Sequence, residues 1–292
     1  MQPYTWCHEQ EFGSTFLNYR HAYHAGNFAD CMKHALLVWL LEALQQKPAP
    51  IFVLDTHAGA GLYDLDTGPA QRTGEFHHGI GRLLQQTPPA LAAYIGLVRK
   101  LHRGGLHYPG SPLLLRTMLR DNDRLACCEL HPDEVFELRR RFARDKHVAV
   151  HHRDGWEALG GLLPPRERRA LVLIDPSFES PREFEDLVSG LAAGYSRFRT
   201  GVFAAWYPIK HRAPVRKFLS MVQQTGIRDV LTAELYLREP LDPDRLNGCG
   251  LLLVNPPFRF EEEALKILTA LRDSLARGER GAAASVTRIA DE

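Results

Sequence analysis

An α/β protein built on a doubly wound, mostly parallel sheet is the fold class this sequence predicts, and three observations predict it. Short uninterrupted apolar runs, such as Leu171-Val172-Leu173-Ile174, read as strands buried on both faces, which is the pattern of parallel sheets. The runs alternate with stretches of helical period. The first run, Ile51-Phe52-Val53-Leu54-Asp55, passes straight into Thr56-His57-Ala58-Gly59-Ala60-Gly61, where glycines let a ligand approach the backbone, as in nucleotide-binding sheets.

Composition narrows the choices. With 292 residues, 45% hydrophobic and 24% charged, the chain has enough apolar material for a substantial core. A formal charge of +1 excludes a polyanion binder driven by bulk charge. Nucleic-acid contact must then come from local clusters such as Arg139, Arg140, Arg141 and Arg144, or Arg166, Arg168 and Arg169, although each cluster taken singly reads first as solvated surface. The five cysteines (Cys7, Cys31, Cys127, Cys128 and Cys249) fit neither a disulfide framework nor a zinc site and suit a reducing cytoplasm. Histidine pairs such as His21 and His24, or His77 and His78, lack companion ligands at metal spacing, so no metal is expected. No apolar run approaches the roughly 20 residues that cross a bilayer, and the chain opens without a signal pattern, so no membrane partner is expected.

Taken in order, residues 1–16 show no clear period and read as an N-terminal extension. Residues 18–27 are dense in aromatic, imidazole and guanidinium groups and poor in aliphatics, which suits an arm reaching a ligand. Helical spacing over 30–44 puts Lys33 and His34 at the start of a helix. After the first strand (51–55), residues 63–108 break the expected alternation with apolar-periodic stretches at 80–84 and 91–101, and read as an inserted helical subdomain. The remaining domain then comprises residues 17–62 and 109–292. Gly110-Ser111-Pro112 predicts a helix start with Ser111 as the cap, its N-terminus suited to a carboxylate ligand. Strands follow at 125–129 and 147–151. Glu129 stands where ribose-binding acids stand, and Asp154-Gly155 is placed for an adenine amine or a nearby backbone contact. Further strands at 170–175, 201–207, 229–236 and 250–255 bring the sheet to seven, with helices at 184–199 and 213–225 between them. Residues 276–285 read as the entry to a flexible tail.

Asp175-Pro176-Ser177-Phe178 ends the fourth strand, at the sheet edge where open α/β proteins gather their chemistry. Asp175 can accept a hydrogen bond from the amine of a flat heterocycle, a main-chain carbonyl beside it can accept another, and Phe178 can cover the ring. Asp175 can equally be a helix cap in an ordinary turn. The tetrad resembles the DPPY-type motif of amino-methyltransferases acting on adenine, with serine and phenylalanine at its last two places. Asn255-Pro256-Pro257-Phe258 matches that motif better letter by letter, yet it closes a late strand and reads as a turn or a wall of the site.

Several segments in the correct order carry a wider resemblance. They are Tyr19-Arg20-His21, Phe28-Ala29-Asp30 with Lys33-His34, Asp55-Thr56-His57-Ala58-Gly59-Ala60-Gly61, Arg72-Thr73-Gly74-Glu75, Tyr108-Pro109-Gly110-Ser111-Pro112, Glu129-Leu130-His131-Pro132, Asp154-Gly155 and Trp206-Tyr207-Pro208. Together they resemble the RlmJ-type 23S ribosomal RNA adenine N6-methyltransferases, from about residue 18 to beyond residue 258. The resemblance implies a Rossmann-like class I methyltransferase fold with S-adenosylmethionine as donor, contacted by His34, His57, Ser111, Glu129, Asp154, Gly155 and Asp175. It implies catalysis by Asp175, Pro176 and Phe178, and substrate contacts through Tyr19, His21 and Lys33. The implied partner is 23S ribosomal RNA, met by a monomer in the cytoplasm at a single-stranded or flipped adenine, adenine 2030 by resemblance. Two rival readings stay open: a nicotinamide-dependent oxidoreductase on a similar sheet, and an RNA- or cofactor-binding protein without turnover.

Overall fold

Runs of leucine, valine and isoleucine with no polar member are not stable facing water on either side, and each becomes a strand covered on both faces. The computed structural model describes residues 20–66, 68–102 and 105–292; the extension at 1–16 and Tyr19 lie outside the described residues. The described residues run through α1 (Phe28–Gln45) and β1 (Phe52–Asp55), then through the stretch read from the sequence as an insertion: β2 (Leu62–Asp64), α2 (Gly68–Thr73), α3 (Ile80–Gln85), α4 (Ala92–Leu101) and β3 (His107–Pro109). It continues through α5 (Ser111–Met118), β4 (Arg124–Glu129), α6 (Pro132–Phe142), β5 (Val148–His152), α7 (Gly155–Gly161) and β6 (Ala170–Ile174). The last third holds α8 (Glu183–Arg197), β7 (Val202–Ile209), α9 (Arg212–Gln224), β8 (Val230–Tyr236), β9 (Gly248–Val254), α10 (Phe260–Leu275) and β10 (Ala283–Ala290).

The main sheet has the order β10-β8-β9-β7-β6-β1-β4-β5. Strands β5, β4, β1, β6 and β7 run parallel, β9 inserts antiparallel between β7 and β8, and β10 closes the edge antiparallel to β8. Side chains along each strand alternate between two apolar layers. Val53, Leu171 and Leu173 face the layer of α1, α4, α5 and α10, while Leu54, Val172 and Ile174 face that of α7, α8 and α9. Since five neighbouring strands point the same way, the loops after β1, β4 and β6 open on one edge of the sheet.

Two expectations are corrected. Among the described residues the sheet has eight strands rather than seven, because Ala283–Ala290 pairs along β8 from Ala283 opposite Tyr236 to Ala290 opposite Val230, where a flexible tail was expected from residue 276. The helix α5 is capped by the backbone of Gly110 rather than by Ser111, whose hydroxyl turns to Asp55 instead. Beyond its helices, the insertion is closed at its base by the ribbon β2–β3, in which Tyr63 lies opposite Tyr108. Its buried Phe76, Leu83, Tyr94 and Ile95 share one apolar cluster with α1. Among the described residues, no helix is long and apolar enough to cross a membrane.

The join between β7 and β9 is tight. Tyr207 and Gly250 are register partners, and a Cβ on Gly250 would lie 2.1 Å from Tyr207 Cζ in a fully buried ring whose hydroxyl donates to Glu234. Gly250→Ala is therefore expected to cost about 1–3 kcal/mol through overpacking. Urea unfolding of the two proteins measures it, and equal midpoints would mean that the ring moves aside freely.

Candidate active site

Each loop at the open edge of the sheet delivers one part of a single cleft of about 1310 Å³. His21, Lys33, His34, His57, Ser111, Glu129, Asp154, Gly155, Asp175, Pro176 and Phe178 all line it. Of the residues named from the sequence, Tyr19 lies outside the described residues.

Charge is concentrated where α1 meets the end of β6. The Lys33 ammonium sits 2.9 Å from Asp30 Oδ1 and 2.5 Å from Asp175 Oδ2. Its side chain is only 6% exposed and that of Asp175 14%. Burial alone would depress the lysine, but the two carboxylates outweigh it and lift the amine above the ordinary range, so it stays charged. Burial likewise works against ionised Asp30, yet His21 and Lys33 hold it well below the usual carboxylate range. Asp30 Oδ2 also accepts from the Gly26 N–H and pairs with His21 Nε2, each at 2.9 Å. Asp30 therefore positions both His21 and Lys33, a role the sequence reading missed. The signal was available in the Asp30–Lys33 spacing, which puts both on one helix face.

The loop after β1 is arranged to receive a polar ligand. Glu129, at the end of β4, has its carboxylate fixed by two main-chain donors, Gly59 N–H and His131 N–H, both at 2.7 Å. Lone pairs remain on its oxygens, which suits the hydroxyls of a ribose. Asp154 caps α7 by accepting from the Trp156 N–H at 2.7 Å. At Gly155 the backbone approaches so closely that a Cβ would lie 2.3 Å from the Thr56 carbonyl. Thr56 donates its hydroxyl to the Leu173 carbonyl, so His57 Nδ1 at 2.8 Å is the donor to Thr56 and Nε2 is left as an acceptor. Burial lowers His57 to about 4, and it packs edge-on against Trp156. His34, lowered by burial to about 3, is held by the Tyr108 hydroxyl at 2.7 Å, which in turn meets the Tyr94 hydroxyl at 2.9 Å. Both imidazoles are neutral at physiological pH.

Phe178 takes a left-handed backbone conformation (φ 55°) that a bulky residue seldom adopts. Edge contacts with Phe184 at 5.1 Å and Trp206 at 5.7 Å hold the ring there. Trp206 lines the cleft with it, so the quoted Trp206-Tyr207-Pro208 segment forms a wall of the site. The insertion reaches the arm through Glu75, whose carboxylate meets His24 Nδ1 and accepts from Asn27 Nδ2, both at 3.0 Å. By contrast, Asn255-Pro256-Pro257-Phe258 does not line the cleft. It forms a turn, as one of its two readings had it, but not a wall of the site. Because β9 runs antiparallel, its end lies at the opposite edge of the sheet, where Asn255 Nδ2 donates to the Arg199 and Gly201 carbonyls and Phe258 is 91% exposed.

Beneath the cleft, Asp55 is fully buried, accepts from the Ser111 hydroxyl at 2.7 Å and has no partner for Oδ1 among the described residues. Burial pushes its carboxyl up to about 7, against the smaller opposing effect of the Ser111 hydrogen bond. The folded protein thus holds this proton more tightly than the unfolded chain, whose aspartates titrate near ~3.9. The stabilisation is complete below the unfolded value and is lost as pH rises through about 7. Asp55→Asn should remove that decline, so wild-type stability is expected to fall by a few kcal/mol relative to the variant between about pH 4 and pH 8. Denaturant titrations across that range measure it, and parallel curves would rule the assignment out.

Comparison with known proteins shows the family. The family model for "Ribosomal RNA large subunit methyltransferase D, RlmJ" matches residues 48–288. Ribosomal RNA large subunit methyltransferase J of Escherichia coli (strain K12) is 41% identical over 263 residues, which is 89% of this chain and 94% of that protein. Its counterpart from Haemophilus influenzae is 40% identical over 264 residues, with the same coverage. Among solved structures, a protein from Legionella pneumophila superposes with a TM-score of 0.83 at 36% identity, covering 91% of this chain and 98% of that one. From strand order, cleft and sequence together, the chain belongs to the RlmJ family of large-subunit ribosomal RNA methyltransferases and has its Rossmann-like class I methyltransferase fold.

Proposed function

We propose that this protein methylates the exocyclic N6 of an adenine in 23S ribosomal RNA, adenine 2030 by family resemblance, with S-adenosylmethionine as the donor. The observation that carries the reading is the placing of Asp175, Pro176 and Phe178 beyond β6, in the same cleft as Glu129, Asp154 and Gly155. The residues present fit the donor. The doubly anchored Glu129 carboxylate suits its ribose, Asp154 and the close backbone at Gly155 suit its adenine, and His34, His57 and Ser111 border the remainder. When bound, S-adenosylmethionine supplies an electrophilic methyl group on a sulfonium.

The chain's own residues provide alignment and electrostatics. An adenine amine is a poor nucleophile because its lone pair is delocalised into the ring. With Oδ2 of Asp175 engaged by Lys33, Oδ1 is left to accept one amine hydrogen, and the Pro176 carbonyl accepts the other. Two acceptors on the hydrogens favour a pyramidal nitrogen whose lone pair points into the cleft. Phe178 and Trp206 offer aromatic faces to the base, which leaves its stack to reach them. Asp175 then receives the departing proton, directly or through water. His21 and Lys33 border the same space from the arm and α1, where His21 contacts the substrate and Lys33 holds the carboxylate in place.

Labelled methyl transfer to protein-free 23S ribosomal RNA, followed by nucleoside analysis, tests the reading. N6-methyladenosine is expected with the natural protein, and Asp175→Ala is expected to lower the rate by at least about 100-fold with cofactor binding retained. Ser177→Pro with Phe178→Tyr should keep activity within about tenfold, since the carboxylate and an aromatic face remain. A natural protein that binds the cofactor without transfer, and gains it through that double substitution, would instead be a binding protein.

A further inference from the structure

The cleft extends past the ring of Trp206, and its volume of about 1310 Å³ exceeds the ~300–1,000 Å³ usual for small-molecule sites. Its charge is divided along its length. Around Glu129, Asp154 and Asp175 the lining is rich in carboxylates, with Lys33 as the cation among them. Beyond Trp206 the lining carries Lys210, Arg238, Arg245 and Arg277, with Asp244 as the neighbouring acid.

The four cations come from three separate stretches of chain and are bound into one group. Trp206, Pro208 and Lys210 alternate along β7 and just past its end, so all three turn to the cleft. The Lys210 carbonyl accepts from Asn247 Nδ2 at 2.7 Å, which ties it to the loop between β8 and β9 that bears Arg238 and Arg245. Arg238 pairs with Glu279 at 2.7 Å and donates to the Leu246 carbonyl, so it holds the loop in place. Arg245 reaches the same carboxylate only at 3.5 Å, and Arg277 follows α10 and touches His78 of the insertion. Glu279 is held below the usual carboxylate range first by its hydrogen bond from Arg238, then by the charges of Arg238, Arg245 and Arg277. Two carboxylates, Glu279 and Asp244, among three guanidiniums and an ammonium still leave an excess of positive charge facing the cleft. An anionic ligand relieves such an excess.

We propose that the half of the cleft beyond Trp206 seats the sugar–phosphate backbone next to the target base, with Lys210, Arg245 and Arg277 each meeting a phosphate. The inference rests on the reading of RNA as substrate. Such contacts fix the register of the strand without reading its sequence. Each one also contributes about 0.7 to the slope of log affinity against log salt for a single strand.

The test is fluorescence anisotropy of a single-stranded 23S fragment containing the target adenine, titrated with the full-length protein from about 50 to 200 mM NaCl. The triple variant Lys210→Gln, Arg245→Gln, Arg277→Gln is expected to lose about 2 from the salt slope. Its KM for RNA should rise at least tenfold, with the Kd for S-adenosylmethionine unchanged. Arg245→Lys with Arg277→Lys keeps the charges and should keep the slope. A triple variant with the natural slope overturns the inference while methyl transfer by the natural protein leaves the functional reading standing. A natural protein that neither binds nor methylates the RNA overturns both.

Discussion

The placing of Lys33 between Asp30 and Asp175 is the constraint on which the site depends. A buried ammonium costs several kcal/mol to desolvate and persists only where carboxylates surround it. Here one carboxylate belongs to its own helix and the other to a loop 142 residues further along, so the pair ties α1 to the working edge of the sheet. Asp30 passes the same constraint backwards, through the Gly26 N–H and His21, to the segment that precedes the helix. Asp175, Lys33, Asp30 and the segment before α1 are thus parts of one connected charge system. None of them can shift alone without stranding a charge out of water.

Much of this architecture was legible because burial on both faces leaves an unmistakable pattern. The apolar runs ending at Asp55, Glu129 and Asp175 announced the central strands and the acids at their ends. What escaped was structure whose cause lies elsewhere in the chain. The strand β10 has half-exposed residues and follows Gly278 and Gly281, and its order comes from pairing with β8 rather than from its own composition. Ser111 before Pro112 has the local chemistry of a helix cap, but a buried carboxylate 56 residues earlier takes its hydroxyl. Asp30 was visible as a letter in a motif with Lys33 one turn away, yet nothing local to it announces that it is buried.

Strand direction explains why two similar tetrads have different surroundings. Both follow a buried apolar strand and both contain a proline turn with an aromatic residue. β6 is parallel to its neighbours and β9 antiparallel, so the two strands discharge at opposite edges. Letter-by-letter similarity carries no information about that, whereas chain order did. The cleft has a similar dependence on topology: its wall at Trp206 and its floor at Asp55 come from strands separated in the sheet by β6.

The ribbon at the base of the insertion has a consequence for how this fold can change. Leu62 lies opposite Pro109, and Gly110 N–H donates to the Gly61 carbonyl at 3.0 Å, so the chain leaves the sheet edge after β1 and returns to α5 at nearly the same point. The ribbon works as a closed gate: segments lengthened or shortened at the outer end leave the spacing of β1 and α5 untouched. Its inner end has no such freedom, because Tyr108 on the returning strand holds His34 by its hydroxyl. The spacing at the base is therefore independent of the length between its two strands, whereas Phe76, Leu83, Tyr94 and Ile95, packed with α1, and Glu75, joined to His24 and Asn27, are bound to the rest of the protein as Tyr108 is.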